Sequence, residues 1–226
     1  MCGRFALTAE TDMLALRFSF ASEKLLYGPL CGPRYNIAPS QEVLTVVNGG
    51  QRRAEMMLWG LIPPWAKEAA VGYRLINARA ETVAEKPTFR SALRKRRCLV
   101  LADGFYEWRR NGKQKTPMFI ALRSRGPFAF AGLWESWKSP SGEVIHSCSI
   151  ITTTPNALME TIYDRMPVIL PRGVEPVWLD TGIEDPGTLT RLLAPYPAAE
   201  MQAYAVHPMV NSPRNDNPAC IVPAQG

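Results

Sequence analysis

The chain has 226 residues, of which 46% are hydrophobic and 20% charged, and a net charge of +6. That is long enough for one large domain or two small ones with a sizeable core, and the balance is that of a globular protein rather than a disordered or fibrous one. No stretch approaches the ~18 apolar residues of a membrane span, no secretory signal opens the chain, and five widely spaced cysteines without a Cys-x-x-Cys pair argue against a disulfide framework or a zinc site.

In chain order, the first helix is expected over Thr8–Phe20, with Thr8 as its N-cap and Leu14, Leu16 and Phe18 on its apolar face. A Gly/Pro-rich loop follows from Gly28 to Pro39. Val43–Val47 and Ala54–Leu58 read as strands around the turn Asn48-Gly49-Gly50. Thr88–Arg97 reads as a short basic helix, and Cys98–Ala102 as a buried strand. Phe105–Arg109 and Met118–Leu122 flank Asn111-Gly112, a strong hairpin signal. Phe128–Leu133, Ser147–Thr153, Val168–Leu170 and Met201–His207 are further strands. Asn156–Ile162, Val174–Leu179 and Gly187–Leu193 are short helices, the first with Pro155 suited to position N1. Many short strands with few helices predict a single β-rich α+β domain over residues 1–226, its antiparallel sheets packed into a barrel-like core with peripheral helices.

Cys2 stands directly behind the initiator Met1. Aminopeptidases remove Met when the next side chain is small, and the mature chain would then begin with an α-amine and a thiol two carbons apart. Their reference pKa values are about 7.7–8.0 and about 8.5, so both are partly nucleophilic near neutral pH. Such an aminothiol can condense with an aldehyde to an imine and close a thiazolidine ring. The alternative is a frayed terminus without a role.

Asn77, Arg79 and Glu81 alternate with Ile76, Ala78 and Ala80, so on an extended segment they would share one face, either as a site or as the solvated face of an edge strand. Glu107 lies between Tyr106 and Trp108. It reads either as a carboxylate with a raised pKa or as an exposed hairpin residue paired with Arg109 or Lys115. The basic run Arg90, Arg94, Lys95, Arg96 and Arg97 reads as a solvated helix face. Arg4, Arg79 and Arg165 adjoin candidate site segments, and their planar forks suit phosphate. Trp65 and Trp108 offer stacking surfaces to unstacked bases, whereas Trp59 reads as core. The positive net charge permits a polyanionic partner without demanding one.

Six segments occur here in one order: Met1-Cys2-Gly3-Arg4-Phe5, Arg34-Tyr35-Asn36-Ile37-Ala38-Pro39, Trp59-Gly60-Leu61-Ile62-Pro63, Asn77-Ala78-Arg79-Ala80-Glu81-Thr82, Asp103-Gly104-Phe105-Tyr106-Glu107-Trp108 and Asp164-Arg165-Met166-Pro167. In this the chain resembles the SOS-response-associated peptidase family of abasic-site-processing proteins, from residue 2 to about residue 211. The resemblance implies that Cys2 joins covalently to the ring-opened sugar of an abasic site in single-stranded DNA. It implies that Asn77 positions the amine and the sugar, and that Glu107 is the catalytic acid. Arg4, Arg79 and Arg165 would hold the DNA backbone, and Asn36, Pro39, Trp65 and Trp108 would line the groove. The family has His before Asp-Arg-x-Pro, where this chain has Tyr163. A phenol cannot relay protons at pH 7 as imidazole does, which bears on release of the cross-link.

No metal or cofactor is called for. The expected partner is abasic single-stranded DNA, met by a monomer in the cytoplasm (on the nucleoid, if the source is bacterial) with no membrane attachment. The only proteolysis the sequence motivates is removal of Met1, and an unclosed imine would risk lyase cleavage of the strand. Two other readings stay open. One is an N-terminal-nucleophile glutamine amidohydrolase, whose Cys2 would attack an amide. The other is a non-catalytic single-stranded DNA binder.

Overall fold

The computed structural model describes residues 2–21, 32–48 and 50–224. Met1, Cys31, Gly49 and the first part of the predicted Gly28–Pro39 loop lie outside the described residues. In chain order the strands are β1 (Phe5–Leu7), β2 (Arg34–Ile37), β3 (Glu42–Asn48), β4 (Arg52–Trp59), β5 (Asn77–Arg79), β6 (Arg97–Ala102) and β7 (Gly104–Asn111). They continue as β8 (Gln114–Leu122), β9 (Phe128–Lys138), β10 (Val144–Thr153), β11 (Met166–Pro167), β12 (Ile169–Leu170) and β13 (Met201–Ala205). The helices are α1 (Thr11–Phe18), α2 (Arg90–Lys95), α3 (Ala157–Glu160), α4 (Glu175–Leu179) and α5 (Pro186–Arg191).

Five strands close into a barrel. β3 pairs with β4 and β6, β6 with β9, and β9 with β10, all antiparallel, and β10 returns to β4 in a parallel pairing. Closure leaves these strands few open edges. Every residue of β6 is buried, which is why it reads in sequence as a continuous apolar run. The second sheet is open and antiparallel, in the order β13-β8-β7-β1-β2. The structure is thus the α+β, barrel-centred fold expected, with one addition: β10 runs parallel to β4 and also to β5.

The sheet is sealed onto the barrel by aromatic edges. Phe5 of β1 meets Trp59 at 5.1 Å and Phe130 at 5.8 Å between ring centroids, and Phe105 of β7 meets Phe130 at 6.0 Å. Side chains alternate across a strand, so the next residue, Tyr106, faces the other way onto Phe119 under the C-terminal segment. The β7–β8 hairpin turns at Gly112, whose φ of 58° belongs to the left-handed region that glycine tolerates.

Three local expectations are corrected. The first helix begins at Thr11, because the backbone N–H and hydroxyl of Thr8 both donate to Asp103 Oδ2, at 2.6 and 2.9 Å, instead of capping a helix. In α3 the N-cap is Asn156, whose side chain accepts from Met159 N at 3.0 Å, so Pro155 lies outside the helix. The basic run is not all solvated. Arg97 is buried and donates to the carbonyls of Leu93, Arg94, Trp178 and Asp180, tying the C-terminal ends of α2 and α4 together.

Candidate active site

β1 brings the start of the chain alongside β7. Phe5 pairs with Phe105, and Tyr106 N donates to Arg4 O at 2.9 Å. The same antiparallel run carries residue 2 toward Glu107 and Trp108. Cys2 is fully buried within the main core, and Glu107 is only 3% exposed. The exposed-hairpin alternative for Glu107 is therefore corrected. Burial pushes its carboxyl up to about 7, and the negative charge of Asp164 acts in the same direction. Burial also pushes the Cys2 thiol up, with Glu107 as the second cause, so the two groups lie within each other's field. The outcome is a carboxyl poised near neutrality beside a thiol that keeps its proton.

Glu107 opens into a cleft of about 460 Å³ lined by Trp108, Arg110, Lys115, Tyr163 and Asn211. Tyr163 is half-buried, and its phenol is raised by burial, then by Glu107 and Asp164. Trp108 is held in place by a hydrogen bond from Nε1 to Asn211 Oδ1 at 2.7 Å. Arg4 sits over the same ring, its guanidinium carbon 6.0 Å from the centroid.

Asn77 lies on β5, paired against β10 of the barrel. Trp59 is buried against Phe5 and donates from Nε1 to Ile76 O at 3.0 Å, and Leu61 N donates to Leu75 O at 3.2 Å. Gly60 allows this loop to close. Its φ is 137°, and an added Cβ would stand 2.7 Å from Gly72 O. Residues 59–62 thus hold the segment that delivers Asn77 to β5, beside Ile150 of β10. Asn77 Nδ2 donates to Ile150 O at 3.4 Å, and its buried Oδ1 has no partner among the described residues. An amide oxygen held ready in this way can orient an incoming donor.

The other predicted contacts are placed differently. β5 ends at Arg79, which is exposed, and Glu81 lies in the turn that follows, so the three polar side chains of that segment do not share one strand face. Glu81 instead takes Arg165 in a two-pronged ion pair at 2.6 and 2.9 Å, and the arginine also donates to Thr152 O at 2.7 Å. That bond holds the Glu81 carboxyl below the usual range.

Asn36 is fully buried. Its amide donates to Val210, Ser212 and Asn215 carbonyls and accepts from Arg4 Nη1 at 2.7 Å. It orients Arg4 and the C-terminal segment rather than facing solvent. Pro39 is half-buried, and Trp65 is 65% exposed on the loop after β4. Sequence reasoning gave no site role to Arg110, to Lys115 (weighed only as a partner of an exposed Glu107) or to Asn211. The first two could have been found by counting pairs outward from the Asn111-Gly112 turn.

The profile of the family described as SOS response associated peptidase (SRAP) matches residues 1–213. The chain belongs to this family. It is 50% identical over 223 residues to the abasic site processing protein YoqW of Bacillus subtilis, covering 98% of this chain and 99% of that protein. It is 36% identical over 200 residues to the abasic site processing protein HMCES of Mus musculus, covering 74% of this chain and 56% of that longer protein. A protein from Bacteroides thetaiotaomicron solved by X-ray crystallography superposes with a TM-score of 0.91 at 28% identity, over 99% of this chain and 100% of that one.

Proposed function

We propose that this protein processes abasic sites in single-stranded DNA by forming a covalent bond through Cys2. The observation that carries the reading is the juxtaposition of a buried Cys2 with a Glu107 carboxyl whose pKa is pushed up to about 7, at the inner end of an open cleft. Membership of the family and the names of the relatives support the choice of substrate.

In this proposal Met1 is removed, and the Cys2 amine adds to the C1′ aldehyde of the ring-opened sugar to form a carbinolamine. Protonated Glu107 gives its proton to the departing hydroxyl, water leaves, and a protonated imine remains. The thiol sulfur then bonds to the imine carbon, and the thiol proton passes to the Glu107 carboxylate while the amine nitrogen regains its electron pair. Aminothiol and aldehyde have become thiazolidine and one water, and Glu107 has its proton back. A thiol that stays protonated until the imine forms suits this order. Intramolecular closure in a fixed geometry is favoured by effective molarities of roughly 10⁵–10⁸ M. Asn77 would orient the amine or the sugar hydroxyl through its unpartnered oxygen.

The test is the intact mass of the protein before and after incubation with an abasic oligonucleotide. The expected product is the chain without Met1, plus the oligonucleotide, less one water. A Cys2→Ala variant that still gives a stable adduct would overturn the assignment.

A further inference from the structure

The cleft carries a feature that the acid–nucleophile pair does not use. Next to the turn of the β7–β8 hairpin, Arg110 and Lys115 are direct cross-strand partners, both exposed and both lining the cleft beside Trp108 and Glu107. Like charges directly opposite each other on paired strands are destabilising. Among the described residues neither cation takes part in an ion pair. Arg110 lies close enough to Tyr163 for its charge to act on the phenol across the cleft. A guanidinium fork and an ammonium converging on one opening, next to a Trp face held by Asn211, form an arrangement that takes a phosphodiester with its base stacked alongside.

We propose that Arg110 and Lys115 together seat one backbone phosphate of the single strand, next to the nucleotide that enters the Cys2–Glu107 centre. This rests on the single-stranded DNA reading above and adds to it a contact outside the six sequence segments. The pair sits at the rim, so it contributes to holding the strand and not to the bond-forming steps.

The experiment measures binding of an oligonucleotide without an abasic site, by fluorescence anisotropy over a series of salt concentrations. It compares the wild-type chain, the double variant R110Q/K115Q, and the double variant R109Q/K113Q. The last removes the same charge from the same hairpin, at two exposed positions that do not line the cleft. Loss of one charged phosphate contact is expected to weaken binding by about tenfold or more in R110Q/K115Q. Its log–log salt slope should fall by about 0.7, the single-strand value for one phosphate. R109Q/K113Q should stay near wild type. Equal losses in the two double variants, or no loss in either, overturn the proposal.

Melting temperature separates misfolding from lost contact. Relief of the opposed charges should hold or raise it in R110Q/K115Q, and a clear fall together with lost binding counts against the pair as a ligand seat. The Cys2 reading fails or stands separately, on whether the wild-type protein forms a mass adduct with free 2-deoxyribose, which has no phosphate.

Discussion

Two buried glutamates show how one side chain is given opposite tasks. Glu175, at the start of α4, is 2% exposed and takes the Arg17 guanidinium of α1 in two short bonds of 2.6 and 2.9 Å. Glu107, on β7, is 3% exposed and has the Cys2 thiol and Asp164 in its surroundings, and burial pushes its carboxyl up to about 7. Burial is the same in the two places. What differs is the partner. The two-pronged bond to Arg17 makes Glu175 structural, while burial, which outweighs the opposing N-terminal amino group, leaves Glu107 able to hold or release a proton near neutral pH.

The contrast breaks first on rate. Glu107→Gln keeps the shape and removes the proton. Adduct formation at pH 6.5 is expected to slow by about 10²–10⁴-fold, the range of a general acid–base group. A time course within tenfold of wild type would remove Glu107 from the acid's role. The stability arm comes next. Glu175→Leu strands the Arg17 charge in the interior and should cost about 3–5 kcal/mol in urea denaturation, as breaking one side of a buried pair does. Glu107→Gln should cost nothing comparable. If both substitutions destabilise alike, the division between structural and chemical glutamate is wrong.

The third test is pH. The folded-state value for Glu107 lies above its ordinary value of 4.5, so the native state binds the extra proton between the two. The contribution is present in full below about 4.5 and is lost as pH rises through about 7. Wild-type stability should therefore fall relative to Glu107→Gln between pH 5 and pH 8, by on the order of 3 kcal/mol over the whole window. Parallel stability curves for the two proteins would contradict the raised value.

The same contrast explains what could be read from the sequence. The β3–β4 and β7–β8 hairpins were legible because their turn residues and flanking apolar runs are local, and β6 because a strand buried on both faces is an unbroken apolar run. β2 reads as loop in the sequence, since Gly and Pro are frequent in the Gly28–Pro39 stretch and its order comes from distant partners. Asp216 accepts from the backbone N–H of Asn36 and pairs with Arg34 at 2.7 Å, some 180 residues along the chain. Cys2 and Glu107 were legible as candidates from their motifs, yet their burial was not, because it comes from the Phe5 and Phe105 contacts with the barrel. The Arg165–Glu81 ion pair is not legible in the sequence, because nothing local marks Glu81, 84 residues away, as the partner. Thr8 looked like a helix cap for the same reason, its true partner being Asp103.

The smallest expected effect concerns release. Reopening the proposed thiazolidine requires a proton on the departing sulfur and another group to manage the attacking water. Tyr163 lines the cleft, and its phenol is raised by burial and by the two nearby carboxylates, so near neutral pH it can donate a hydrogen bond but does not accept a proton. An imidazole at that position, with a reference pKa of about 6.5, could do both. Tyr163→His should therefore speed reversal of the cross-link, with the rate gaining a dependence on pH near that value. The gain should stay below the ~10²–10⁴-fold of a complete acid–base group, since Glu107 already serves the same sugar. The measurement is loss of the mass adduct after transfer of the abasic oligonucleotide into excess competitor aldehyde. Equal reversal rates at every pH would show that the residue before Asp164-Arg165 shapes the cleft without taking part in proton transfer, and that Glu107 alone carries the acid–base cycle.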